Sequence, residues 1–212
     1  MTQFQDITIM PTLYHSPNSR STLILLLIEE MGITDRIDVV NVTVARQDGS
    51  GGPDARNPHP EKKVPYLTNG DDHIRERGAI VAYLTDMFPD TALGRPVGHP
   101  QRGKFLGWLF YYQGVMEPVL VLDWANVEHA ALHTTFRDLD AVFSCLANAL
   151  QDQPYLLGGE YSAVDLLLSS PFQWLPDAMP QHPSIQAWIQ RCANRPALAT
   201  VMAREAAGSQ LV

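Results

Sequence analysis

Cysteine is almost absent from this 212-residue chain, with only Cys145 and Cys192 present. They form no CxxC pair and no metal-ligand spacing, which argues against a disulfide framework and against a zinc module. They are expected as reduced thiols of a cytoplasmic protein. Basic residues are also few: 15 Lys and Arg stand against 23 Asp and Glu, giving a net charge of -8. That balance argues against nucleic acid or an anionic membrane as the main partner. The longest apolar run, Leu23 to Ile28, is cut off by Glu29 and Glu30, so no segment reads as long enough to cross a bilayer. The opening MTQFQDITIM lacks the basic-then-apolar form of a signal peptide, and the residues before about Thr8 are expected to be loosely held. The seven histidines are scattered without ligand spacing, and no metal is expected.

What is present is a core-forming composition, 45% hydrophobic, sufficient for one large or two small domains. The first half alternates strand and helix. ITIMPTLYH reads as a strand, SPNSRS as a break, and STLILLLIEEMG as a helix capped by Ser19 or Ser21 and closed by Gly32. RIDVVNVTV reads as a second strand. ARQDGSGGPDARNPHP has no periodicity and many turn formers, so it is a loop; it lacks the Lys-Ser/Thr of a phosphate loop. VPYLT and HIRE flank Asn69-Gly70, a two-residue hairpin signal. ERGAIVAYLTDMFP is a helix that stops at Pro89. A proline cannot donate to a sheet ladder, so Pro65 marks an edge strand, a bulge or a cis bond. This order implies a small mixed sheet with helices on its faces.

Beyond a boundary dense in Pro and Gly, residues 89–100, strand signals vanish. QRGKFLGWLFYYQGVMEPVLVL carries an aromatic stripe of Phe105, Trp108, Leu109 and Tyr112 at helical spacing. HAALHTTFRDLDAVFSCLANAL reads as one long amphipathic helix with Leu132, Phe136, Leu139, Val142, Phe143 and Leu146 on one side. In YLLGGEYSAVDLLLSS, Ser162 and Asp165 have capping-box spacing. HPSIQAWIQRCANRP is a further helix, with Ser184 as its expected cap and Pro196 just past its end.

Three segments in order carry a resemblance over about residues 12–199: NPHPEKKVPYLTNGDDHIRERGAIVAYLTDMFP, YLLGGEYSAVDLLLSS and HPSIQAWIQRCANRPAL. They resemble the cytosolic glutathione transferase family of bacterial type. The resemblance implies a thioredoxin-like α/β domain (βαβ-ββα) at residues 10–90, which binds glutathione, and an all-helical domain at 99–208. It also implies a homodimer, and a small hydrophobic electrophile entering a cleft lined by the stretch from Phe105 to Met116. On its pattern Pro65 is cis and the backbone of Val64 holds the cysteinyl part of glutathione. Lys63 contacts glutathione and Glu76 holds the γ-glutamyl amine. The next position is usually Ser in the family; Arg77 stands there instead, either to meet the γ-glutamyl carboxylate as a charged fork or to point to solvent.

Glutathione chemistry requires the thiolate, and a free thiol ionises near pH 8.5. A hydroxyl or a cation at the start of the first helix can stabilise that anion. The segment LYHSPNSRSTL has no Cys, which disfavours mixed-disulfide chemistry. By resemblance to serine-type classes the catalytic position falls on Ser19, with Ser16 second; by resemblance to cysteine-type classes it falls on Arg20, close enough to act by its charge. Ser16, Asn18 and Tyr14 remain open because short loops shift register, and a helix cap is the structural alternative for either serine. The rival reading is a non-catalytic binding or assembly module with a degraded glutathione site.

Overall fold

The computed structural model describes residues 10–175 and 178–208. The expected loose segment before Thr8, and the start of the first predicted strand at Ile7 to Ile9, lie outside the described residues. By compactness the chain divides into two units. One comprises the chain up to Ile80 together with the segment from Ala197 on; the other is Val81–Pro196.

The first unit is built on a four-stranded sheet. Strands β1 (Thr12–His15), β2 (Asp38–Asn41), β3 (Tyr66–Asn69) and β4 (Asp72–Arg75) lie in the order β2-β1-β3-β4. β1 and β2 are parallel, joined by helix α1 (Thr22–Met31); β3 is antiparallel to both β1 and β4. This is the βαβ-ββ order read from the sequence. Helix α1 buries Leu23, Ile24, Leu26, Leu27, Ile28 and Met31, so it is covered on more than one side. It ends at Gly32, whose φ of 65° is the left-handed conformation a helix C′ residue adopts most cheaply as glycine. Asn69 pairs with Asp72, so the two hairpin loop residues are Gly70 and Asp71, one position later than Asn69-Gly70. Gly70 takes φ 58° there, and Asp71 stays out of the left-handed region, as a loop with Gly at its first central position allows. Helix α2 (Arg77–Met87) follows β4 directly.

In the second unit, α3 (Arg102–Tyr111), a π-helical turn (Tyr112–Met116) and α4 (Glu117–Trp124) form one continuous helix of 23 residues. By length and composition alone this helix is apolar enough to cross a bilayer, contrary to the sequence expectation. The run was not visible as such because Arg102, Lys104, Gln113, Glu117 and Asp123 interrupt it. Its buried side is Phe105, Leu109, Tyr112, Met116, Val119 and Leu120, and Arg102 makes a bidentate pair with Asp86 at 2.6 and 2.8 Å.

The single amphipathic helix expected over 129–150 is two. α5 (Ala130–Thr135) ends at Phe136, Arg137 turns with φ 68°, and Asp138 starts α6 (Leu139–Ala149) by accepting the Ala141 N–H at 2.8 Å. An Asp at a helix start competes with continued helix, and the apolar pattern runs through the break without registering it. Next come α7 (Ala163–Ser169), α8 (Pro171–Trp174) and α9 (Pro183–Ala193). The N-cap of α9 is His182 rather than Ser184, because Pro183 takes the first helical position, where its missing N–H costs nothing. Asp165 does close the capping box: it accepts from Ser162 N–H (3.0 Å) and Ser162 Oγ (2.8 Å). It also accepts from Leu156 N–H (2.8 Å) and the buried Trp188 Nε1 (3.0 Å). The last helix, α10 (Pro196–Gly208), belongs from Ala197 with the first unit.

Candidate active site

Strand register decides which loops meet. Tyr14 of β1 pairs with Tyr66 of β3, and Tyr66 pairs with Arg75 of β4. The residues after β1 (from Ser16), before β3 (Val64 and Pro65) and after β4 (Glu76 and Arg77) therefore leave the sheet at one end. Of the residues singled out from sequence, Ser16, Asn18, Ser19, Arg20, Lys63, Val64, Pro65, Glu76 and Arg77 lie in these three segments, and Tyr14 lies within β1.

The Val64–Pro65 bond is cis. The approach to it is held from inside by Asn57, which is fully buried. Its Nδ2 donates to Lys63 O (3.0 Å), its Oδ1 accepts from His59 N–H (3.0 Å), and its own carbonyl accepts from Lys62 Nζ (2.6 Å). His59 is buried edge-on against Tyr66, with ring centroids 4.8 Å apart, and accepts from Glu61 N–H. Burial pushes the His59 imidazole below its usual pKa, with Glu61, Arg75, Lys63 and Glu76 all near enough to act on it. Lys63 is exposed and pairs with Glu61 at 2.8 Å, which raises its pKa, and Glu76 adds to that rise. Lys63 and Glu76 thus feel each other's charge. Arg56 is forked onto Asp54 on the surface.

Glu76 is exposed with φ 70°, a left-handed turn immediately before α2. Arg77 is buried at 7% exposure, which removes the alternative in which it points to solvent. Arg77 holds the first position of a helix whose first amides already favour an anion.

The segment between β1 and α1 is the most densely hydrogen-bonded part of the site. Ser19 Oγ donates to Ser16 O (2.7 Å), accepts from Ser21 N–H (3.1 Å) and lies 2.7 Å from Ser21 Oγ. Ser16 is buried, and its hydroxyl accepts from Arg46, which also donates to Pro17 O and Asn18 O. Ser21 Oγ lies 2.7 Å from His15 Nδ1. His15 Nε2 lies 3.2 Å from Glu205 of α10. Glu205 also accepts from Asn18 N–H (2.7 Å) and Thr22 Oγ1 (2.8 Å). Burial alone would push the Glu205 carboxyl up. The hydrogen bonds from His15, Asn18 and Thr22 outweigh it and hold the carboxyl below its ordinary value of 4.5. Ser19 is part-exposed and Arg20 exposed; of the two serines, Ser19 is the accessible one.

Sequence reading missed His15, Ser21, Arg46 and Glu205 as parts of this site. Ser21 was read only as a cap and His15 only as one scattered histidine. Glu205 meets Asn18 across 187 positions, a pairing no local pattern announces. Among the described residues no group of three His, Cys, Asp or Glu side chains is placed to hold a metal.

A thioredoxin-like α/β unit with a cis proline at its sheet end, joined to an all-helical unit, defines the glutathione S-transferase fold. Comparison with known proteins agrees. Residues 110–196 match the family model of the glutathione S-transferase C-terminal domain. Glutathione S-transferase GstA of Escherichia coli O157:H7 is 24% identical over 198 residues, covering 91% of this chain and 98% of its own. Among solved structures, a glutathione transferase from Methylococcus capsulatus str. Bath superposes with a TM-score of 0.74 at 25% identity, over 92% of this chain and 98% of its own. A sphingomonad glutathione S-transferase complexed with glutathione shares the fold at a TM-score of 0.71 and 22% identity, over 92% and 98% of the two chains. These matches make the chain similar to glutathione S-transferases of bacterial type.

Proposed function

We propose that the chain is an enzyme that binds glutathione at this end of the sheet and transfers its thiolate to a small apolar electrophile. The observation that carries the reading is the convergence of three segments: the Ser16–Ser21 loop, the cis Val64–Pro65 bond, and the Glu76–Arg77 start of α2. The Val64 backbone is left to pair with the cysteinyl amide of an extended ligand. Glu76 takes the γ-glutamyl amine. Arg77 and the first amides of α2 take the γ-glutamyl carboxylate. Lys63, exposed and within the electrostatic reach of Glu76, adds positive charge at the ligand. Ser19 supports the thiolate by hydrogen bonding at the start of α1, with Ser16, buried and held by Arg46, as second choice.

The test is glutathione binding by calorimetry followed by a conjugation assay with an aromatic halide. Glu76→Ala should weaken binding more than Arg75→Ala, because only Glu76 stands at the turn into α2. Equal affinities would show that the site lies elsewhere. The second reading, a binding module without catalysis, draws on the Ser19 proton being committed to Ser16 O. Tight glutathione binding with no conjugation of any electrophile would favour it.

A further inference from the structure

The hydrogen bonds from Ser19 inward have a direction. The Glu205 carboxylate only accepts, so the His15 Nε2 that faces it at 3.2 Å carries a proton. In the neutral ring Nδ1 is then an acceptor, and the Ser21 hydroxyl at 2.7 Å donates to it. With its proton so placed, Ser21 Oγ is free to accept, and it accepts from Ser16 N–H (3.1 Å) and faces Ser19 Oγ at 2.7 Å. Donors therefore point from Ser21 through His15 to Glu205, which is 3% exposed, and the part-exposed Ser19 joins this run when its proton swings from Ser16 O to Ser21 Oγ, each 2.7 Å from Ser19 Oγ. Anchoring the loop to α10 needs only Asn18 N–H and Thr22 Oγ1 on Glu205; it does not need the hydroxyl–hydroxyl–imidazole run.

We propose that His15 is the proton acceptor for ionisation of the glutathione thiol, reached through Ser19 and Ser21, with Glu205 holding the resulting imidazolium. The proposal rests on the reading that the thiol meets Ser19. The thiol proton passes to Ser19 Oγ as the Ser19 proton passes to Ser21 Oγ and the Ser21 proton passes to His15 Nδ1. One S–H bond breaks and one N–H bond forms; each hydroxyl loses one proton and gains one; nothing is oxidised. The thiolate is left accepting from Ser19, and Ser19 Oγ from Ser21. After attack on the electrophile, His15 returns the proton to solvent or to the leaving group. A buried imidazolium without a partner would be costly, and the Glu205 carboxylate supplies that partner. The other charges at this loop are Arg20, exposed on the loop itself, and Arg46, whose guanidinium donates to Ser16 Oγ, Pro17 O and Asn18 O; both favour an anion at the sulfur. His15 and Glu205 act through Ser21 and Ser19, so they are positioning and relay residues rather than groups that touch the ligand.

The test compares two readouts when glutathione is added to the full-length protein in weak buffer. Thiolate is read by its ultraviolet absorbance, and released protons by an indicator dye. Release seen with S-methylglutathione, which has no thiol to ionise, is subtracted. The relay keeps the thiol proton on the protein, so wild type should release far fewer protons than it forms thiolates. One proton per thiolate in wild type would overturn the proposal without any variant having to fold. His15→Gln, checked for native circular dichroism, should form thiolate only at higher pH and release a full proton for each. If Ser19→Ala leaves thiolate formation unchanged, the Ser19 reading fails and the relay falls with it. If Ser19→Ala abolishes thiolate formation while His15→Gln changes neither readout, the relay alone is wrong.

Discussion

A serine ahead of a helix ordinarily caps it through its side-chain oxygen. Ser19 does not, because the N-cap of α1 is Ser21 and no side chain caps the helix; Ser19 Oγ instead accepts the Ser21 N–H while its own proton rests on Ser16 O. A thiolate brought to the same place would compete for that proton. A hydrogen bond to a charged group contributes about 1.5–3 kcal/mol, so Ser19→Ala should slow conjugation by about 10- to 100-fold. Steady-state rates at saturating glutathione check this, and glutathione affinity should move much less. Glu205 yields a separate expectation, in acid. Its folded pKa is held below 4.5, so the stability it contributes is present above that value and is lost as pH falls through the depressed one. Glu205→Gln should therefore flatten the loss of stability on acidification, read by urea unfolding across the acid range.

Among elements, two aspartates at helix starts do different work. Asp138 is exposed and accepts one N–H, so Asp138→Ala should cost about 1 kcal/mol. Asp165 is fully buried and satisfies four donors from three chain segments. A buried donor left without a partner costs about 1–3 kcal/mol, so Asp165→Ala should cost at least about 3 kcal/mol by denaturant unfolding. The Ser162–Asp165 box was legible because its signal is local, three residues wide. The strand order was legible for the same reason: apolar runs, turn formers and Gly32 mark each boundary. The break at Arg137 was not, because Leu132, Phe136, Leu139 and Val142 keep a helical spacing across it. The site divides in the same way. Pro65, Glu76 and Ser19 are visible in short motifs, whereas the Glu205–His15–Ser21 run exists only once α10 and the end of β1 have been brought together.

For the molecule as a whole, the long helix of the second unit raises the question of what faces its outer side. Phe105, Leu109, Tyr112, Met116, Val119 and Leu120 face the core. The exposed side carries instead Gly103, Gly107, Phe110 and Gly114, then Val121 and Trp124, with Lys104 and Asp123 the exposed charges near its two ends. Phe110 is 74% exposed and Trp124 57%. A glycine inside a helix costs about 1 kcal/mol relative to alanine, and a methyl group at Gly103, Gly107 or Gly114 would meet nothing within 4 Å in this chain. Small residues around one large aromatic suit close approach of a second helix, and a two-fold axis would set this face against its own copy. The expected outcome is a homodimer at micromolar concentration by sedimentation. Burying a Phe side chain contributes about 1.5–3 kcal/mol, and a two-fold interface counts each residue twice. Phe110→Asp should thus weaken the dimer by about 1,000-fold, leaving the 23.6 kDa monomer. Val97→Asp, at a residue more exposed still but off this face, should leave association unchanged. Wild type sedimenting only as the 23.6 kDa species would reject the dimer outright.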